Sequence, residues 1–169
     1  MKTLYLIGGT MGIGKTTVCR QLNKELHNSV FLDGDWCWDS DPFQVTEDTK
    51  AMVLDNIRYL LNNFIHCPAY ENIIFCWVMH EQAIIDDIVQ QIDTECCRVE
   101  PISLICDVQT LIKRLEKDIG DGLRDREVLD RSVKRIACYQ QLKTRKIDTS
   151  EKQIQDIVRE IIERQGCIC

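Results

Sequence analysis

The chain has no excess of basic residues: 21 lysines and arginines stand against 27 aspartates and glutamates, a formal net charge of −6 at pH 7. A broad basic face of the kind that tracks a duplex backbone is therefore excluded, and no nucleic-acid partner is expected. Nor is there any run near the ~18 consecutive apolar residues of a membrane helix, because charges interrupt every segment. No membrane partner is expected. The opening Leu4-Tyr5-Leu6-Ile7 is shorter than the roughly 7 to 15 residues of a secretory apolar core, so a cytoplasmic location is the expectation. Internal repeats and linkers are absent too. With 169 residues, 44% hydrophobic and 28% charged, the composition argues against disorder and for a single domain over residues 1–169.

The sequence does hold ten cysteines, yet no C-x-x-C pair. Most sit inside apolar stretches, as in Phe75-Cys76 and Ile105-Cys106, and read as small reduced core residues. The adjacent Cys96-Cys97 and the terminal Cys167-Ile168-Cys169 are the exceptions, open to metal ligation or oxidation, with frayed thiols as the plainer reading.

Hydrophobic spacing alternates between strand and helix signatures. Thr3–Ile7 is a short β-prone run ending at Gly8-Gly9, and Val18, Leu22 and Leu26 then recur at helical spacing. Ser29–Leu32 predicts a second strand ending in Asp33-Gly34-Asp35, followed by a loop over 36–43. A long helix is predicted from Thr46 to about Ile65, a strand over 72–79, a short helix through Ile85, Ile88 and Ile92, and a strand over 99–106. Asp107 is placed to cap a helix that Gly120-Asp121-Gly122 interrupts. A further helix spans about 127–142 and Arg145–Asp148 forms the last strand. Ser150 with Gln153 suggests a capping box for a final helix whose Ile154, Ile157, Val158, Ile161 and Ile162 are spaced for burial. The expected fold is α/β: three layers, α/β/α, around a five-stranded parallel sheet with a lid at about 118–127, its ligand at the carboxyl ends of the strands.

Gly9-Thr10-Met11-Gly12-Ile13-Gly14-Lys15-Thr16 fits G-x-x-x-x-G-K-[ST] just after a predicted strand and at the opening of a helix. Glycines let backbone N–H groups curl around phosphate oxygens, the helix N-terminus adds partial positive charge, and Lys15 reaches the β- and γ-phosphates. The expected nucleotide-binding set is Gly9, Thr10, Gly12, Ile13, Gly14, Lys15, Thr16 and Thr17, with Thr16 also a magnesium ligand. Asp33 and Asp35 are two apart at the end of a strand, and an extended chain would turn both into one cleft. One would serve Mg²⁺ while the other, Asp35, would orient or deprotonate an acceptor hydroxyl.

These features, with the loop arginines and the segment Arg135-Ile136-Ala137-Cys138-Tyr139 before Ile147-Asp148-Thr149, resemble the small P-loop metabolite kinases, the shikimate and gluconate kinases. The resemblance spans nearly the whole chain. It implies ATP and Mg²⁺ as cofactors, Asp33 holding magnesium through water, Asp35 on the acceptor hydroxyl, and Arg135 on a substrate carboxylate. It also implies a lid arginine, Arg124 or Arg126, neutralising charge on the transferring phosphoryl group, and Arg114 or Lys117 beside the adenine. The pattern departs after the third strand, where Phe75-Cys76-Trp77-Val78-Met79-His80 replaces the glycine triplet of shikimate kinases, and Cys76 stands where many relatives place a metal-assisting aspartate. Trp36 and Trp38 adjoin the acceptor aspartate and either stack on a substrate ring or cover the core edge. His80 reads more simply as a structural residue.

The resulting expectation is a kinase acting on a small hydroxyl-bearing molecule, a monomer or weak dimer. Its rivals are a nucleoside monophosphate or antibiotic phosphotransferase and a nucleotide-binding regulatory protein without acceptor activity. Arg58 is the only arginine between residues 33 and 97, which disfavours a phosphate-bearing acceptor.

Overall fold

A computed structural model describes residues 1–163; the Cys167-Ile168-Cys169 thiols lie outside the described residues. Strand β1 (Lys2–Gly8) is fully buried from Leu4 to Ile7, with no polar face, as a strand covered by helices on both sides must be. It leads through the glycine loop into helix α1 (Lys15–Glu25) and strand β2 (Ser29–Asp33). Next come a 3₁₀ turn at Gly34–Cys37, helix α2 (Glu47–His66), strand β3 (Asn72–Trp77) and helix α3 (Gln82–Gln90). Strand β4 (Cys97–Ile105), helices α4 (Val108–Gly120) and α5 (Glu127–Gln141), strand β5 (Arg145–Asp148) and helix α6 (Ile154–Glu163) complete the order. Every strand pairing is parallel and the sheet runs β2-β3-β1-β4-β5, so β1 is central and its carboxyl end lies where the chain changes direction across the sheet.

Alternation along the strands sorts the core into two layers. Tyr5 and Ile7 of β1, with Ile74 and Cys76 of β3, pack against Val18 and Leu22 of α1, Leu115 of α4 and Ile157, Val158 and Ile161 of α6. Leu4, Leu6, Ile73 and Phe75 face the opposite way, onto Val53, Ile57 and Leu61 of α2, Ile85 and Ile88 of α3, and Tyr139 of α5. The three-layer α/β/α arrangement expected from the sequence is thus the observed one.

Local differences have local causes. Strand β3 stops at Trp77, and β4 begins at Cys97, which buries the Cys97 side chain and leaves Cys96 exposed. Thr46 caps α2 in a reciprocal box with Thr49, and Asp107 caps α4 through the Thr110 N–H at 2.8 Å. Ser150 does not cap α6. Its hydroxyl donates to Asp148 Oδ1 at 2.7 Å and accepts from the Asp107 N–H at 2.9 Å, tying the end of β5 to the start of α4. The helix therefore begins later, at Ile154, which is 36% exposed rather than part of the buried stripe. Among the described residues no helix is long and apolar enough to cross a membrane.

Candidate active site

The glycine loop leaves β1 at its carboxyl end. Gly14, with φ of 99°, occupies the left-handed region that a side chain resists, and this turn aims the start of α1 at the cleft. No side chain caps that helix, so the N–H groups of its first turn stay open to an anion. Two neighbours hold the loop from outside. The buried Thr10 hydroxyl donates to the Ser132 carbonyl of α5 at 3.0 Å, and Arg114 of α4 donates from Nη1 to the Ile13 carbonyl at 3.3 Å. Arg114 also reaches the Thr149 hydroxyl and carbonyl at 3.0 and 2.7 Å, so its guanidinium is fastened between the loop and the segment after β5. Lys117 is exposed further along α4, and Thr17 is exposed on α1.

Lys15 donates from Nζ to the Thr10 carbonyl at 3.1 Å. Burial holds its pKa below the ordinary lysine value, the Arg124 charge pushes the same way, and the Asp35 and Asp33 carboxylates oppose them. The Thr16 hydroxyl donates to Asp33 Oδ2 at 2.7 Å, and Asp33 Oδ1 accepts from the Asp35 N–H at 3.2 Å. A hydroxyl and a buried carboxylate side by side are hard oxygen donors, the set that suits Mg²⁺.

The two aspartates do come together, but by a different route from the extended spacing expected. At Gly34 the chain turns into the 3₁₀ segment, with Asp33 as its cap and Asp35 on the turn itself. Asp35 sits at the mouth of the cleft, open to solvent on one side. Its pKa is raised, first by the desolvation of the carboxyl and then by the Asp33 charge; Lys15, a hydrogen bond from Trp77 and Arg124 pull it back.

Trp77 is the residue that sequence reasoning missed. The β2–β3 register pairs Asp33 with Cys76, which brings Gly34 alongside Trp77. A Cβ on Gly34 would stand 2.6 Å from Trp77 Cγ, so only glycine lets the indole lie this close to the turn that carries Asp35. The ring also meets Trp38 edge-on, with centroids 6.0 Å apart. The available signal was the glycine between two acids. Gly34→Ala is expected to displace Trp77 and lower kcat/KM about tenfold, since small misplacements of an orienting group cost this much or more, with nucleotide affinity unchanged. Steady-state kinetics beside a nucleotide titration checks this, and an unaltered kcat/KM refutes it.

Of the two loop arginines, Arg124 lies nearer the chemistry. Its charge acts on both Lys15 and Asp35 while Nε pairs with Asp118 at 3.0 Å. Arg126 instead lines a hollow between α4 and α5 with Glu116, Leu129 and Asp130. Arg135 of α5 is half-buried near His80 and Tyr139, and His80 pairs with Glu81 at 3.3 Å. Burial, then the Arg135 charge, keep His80 below the ordinary histidine value. The neighbouring Cys19, together with burial, drives the Cys76 pKa far upward, so it remains a neutral thiol. Asp33 is thus the buried acid beside Thr16. Trp36 is 53% exposed, braced edge-on by Phe31 at 5.2 Å.

Comparison with known proteins agrees with this fold. The family model described as "AAA domain" matches residues 6–136. A shikimate kinase from Bacillus cytotoxicus is 30% identical over 174 residues, covering 97% of this chain and 98% of the relative. Among solved structures, a gluconokinase from Sinorhizobium meliloti 1021 aligns with a TM-score of 0.72 at 16% identity, over 97% of this chain and 91% of that one. A tunicamycin resistance protein from Deinococcus radiodurans aligns at 0.69 with 17% identity, over 99% and 98%. With a phosphate loop at the carboxyl end of the central strand, this chain belongs to the AAA domain family and, within it, to the small P-loop kinases: it is a phosphotransferase.

Proposed function

We propose that this kinase transfers the γ-phosphoryl group of ATP to a hydroxyl of a small metabolite. The observation that carries the reading is the uncapped helix start with Lys15 at the phosphate loop, set beside the Thr16–Asp33 hydroxyl–carboxylate pair and the turn that carries Asp35. Lys15 and the first turn of α1 hold the phosphates, and Arg124 adds positive charge from the loop after α4. Thr16 and, through water, Asp33 would hold Mg²⁺, which when bound neutralises charge on the β- and γ-phosphate oxygens. Asp35 accepts the acceptor hydroxyl's proton or fixes its oxygen in line, with the Trp77 indole packed against the turn that carries it. Arg114 and Lys117 flank the adenine side of the loop.

The test is ADP release from Mg-ATP across hydroxyl-bearing metabolites, nucleoside monophosphates and antibiotics, with Lys15→Ala as the blank. Release that depends on one acceptor class and vanishes in the blank supports the reading. Tight ATP binding with silence across the panel overturns it in favour of a regulatory nucleotide-binding protein.

A pH profile follows from the same pair. Asp35 must be ionised to accept a proton, and its pKa lies above the ordinary 3.8, so the acid limb of kcat/KM moves up in pH. Lys15 must be protonated to stabilise phosphate charge, and its pKa lies below the ordinary 10.5, so the alkaline limb moves down. The expected profile is a bell narrowed from both sides. Asp35→Asn should flatten the acid limb, and an unchanged limb in that variant assigns it elsewhere.

A further inference from the structure

Thr10 stands at a position that the phosphate-loop motif leaves to any residue. It is 1% exposed, and its hydroxyl donates to the Ser132 carbonyl of α5 at 3.0 Å, across 122 residues of chain. That carbonyl lies within a helix, whose ladder takes one of its two lone pairs and leaves the other for the threonine. The carbonyl of Thr10 itself faces the loop. It accepts from the Ile13 N–H at 3.4 Å and from Lys15 Nζ at 3.1 Å.

The path of the lysine depends on that carbonyl. Its stem crosses Gly9 so closely that a Cβ there would stand 3.4 Å from Lys15 Cγ and 2.8 Å from Ile13 Cγ2. The ammonium then turns back onto Thr10, whose carbonyl is its one hydrogen-bond partner among the described residues. The direction of a single peptide group therefore sets where the charge stands. The bond to α5 holds this peptide from outside the loop, since Arg114, the loop's other anchor, takes the Ile13 carbonyl three residues on. Valine at this position would keep nearly the same shape and remove the donor, leaving the peptide free to turn.

We propose that Thr10 is a positioning residue of the phosphate site, its hydroxyl anchoring on α5 the carbonyl that aims the Lys15 ammonium at the outer phosphates of a nucleotide. The hydroxyl is buried and spent on the helix, so its effect passes through Lys15. The assignment rests on the nucleotide reading of the same loop and holds whichever molecule accepts the phosphoryl group.

Calorimetric titration with AMP-PNP, a non-hydrolysable ATP analogue, and with AMP, magnesium present throughout, separates the outer phosphates from the rest of the nucleotide. Thr10→Val should weaken AMP-PNP about tenfold, the size of one hydrogen bond to a charged group, and change AMP by less than about twofold. Thr10→Ser restores the donor and should bind both as the parent does. In a double-mutant cycle, Thr10→Val placed on Lys15→Ala should cost no further AMP-PNP affinity, because the group it acts through is gone. Where Lys15→Ala binds too weakly to titrate, the AMP comparison and the serine rescue decide. Unchanged AMP-PNP binding in Thr10→Val, an equal loss for AMP, an equal loss in the Lys15→Ala background, or no rescue by serine overturns the proposal. Thr10→Ala takes the place of Thr10→Val if circular dichroism shows the latter unfolded, and loss of structure in both makes Thr10 a residue of the fold and overturns the proposal too. A parent chain that binds no AMP-PNP at all is the separate outcome that removes the nucleotide reading, and this inference with it.

Discussion

Replacing Lys15 by alanine is expected to lower kcat about a thousandfold, close to 4 kcal/mol of transition-state stabilisation. The expectation rests on where the ammonium sits. It is half-buried at the phosphate loop, its pKa is pushed down chiefly by desolvation, and its hydrogen bond goes to the Thr10 carbonyl. A charge in that position is costly to the folded protein and acts strongly on any phosphate that arrives. The sign for stability follows: a lysine whose folded pKa is lowered binds fewer protons folded than unfolded, so at neutral pH its charge opposes folding. Lys15→Ala should therefore keep or raise Tm while turnover collapses. Loss of turnover together with a large fall in Tm would trace the defect to folding and refute the catalytic role.

Asp35→Asn carries the second large effect, a loss of about a hundredfold in kcat with ATP affinity retained, within the range for removing a positioned general base. The amide preserves the size and most of the hydrogen-bonding geometry but cannot take a proton. Asp35 is acidic with a raised folded pKa, so the stability it contributes is present below the ordinary carboxylate value and is lost as pH rises toward the raised one. At neutral pH the ionised form works against the fold, and the asparagine variant is expected to melt no lower than the parent. Kinetics, a nucleotide titration and thermal melting together check this. Full activity in Asp35→Asn removes the residue from the mechanism.

The phosphate loop and the alternation of strands and helices were legible because both are local. A glycine-rich turn between an apolar run and a helical stripe has few other readings, and β5 falls at Arg145–Asp148 as its spacing predicted. What escaped depended on partners distant in sequence. Ser150 matched a capping box in isolation, but Asp107, 43 residues away, presents an unpaired N–H that takes its hydroxyl. Asp33 and Asp35 were brought together by extended spacing on paper and by a 3₁₀ turn in the fold, which changes which atoms meet. Trp77 read only as a departure from a glycine triplet, because its place against Gly34 depends on the β2–β3 register, which no local pattern encodes. Arg124 and Arg126 are equivalent in a loop sequence; they separate once the end of α4 and the start of α5 fix which way each points.

The hydrogen bonds from Thr10 to α5 and from Arg114 to the Ile13 carbonyl have a mechanical corollary. The helices on either side of residues 121–126 are both anchored to the phosphate loop, like two posts set in one foundation. Swinging either helix as a lever would tear a bond at the loop that grips the phosphates, so closure over a bound nucleotide is restricted to bending of the short bridge between the posts. Arg124 is carried on that bridge, and its 3.0 Å tie to Asp118 is the latch that such bending would exchange for phosphate.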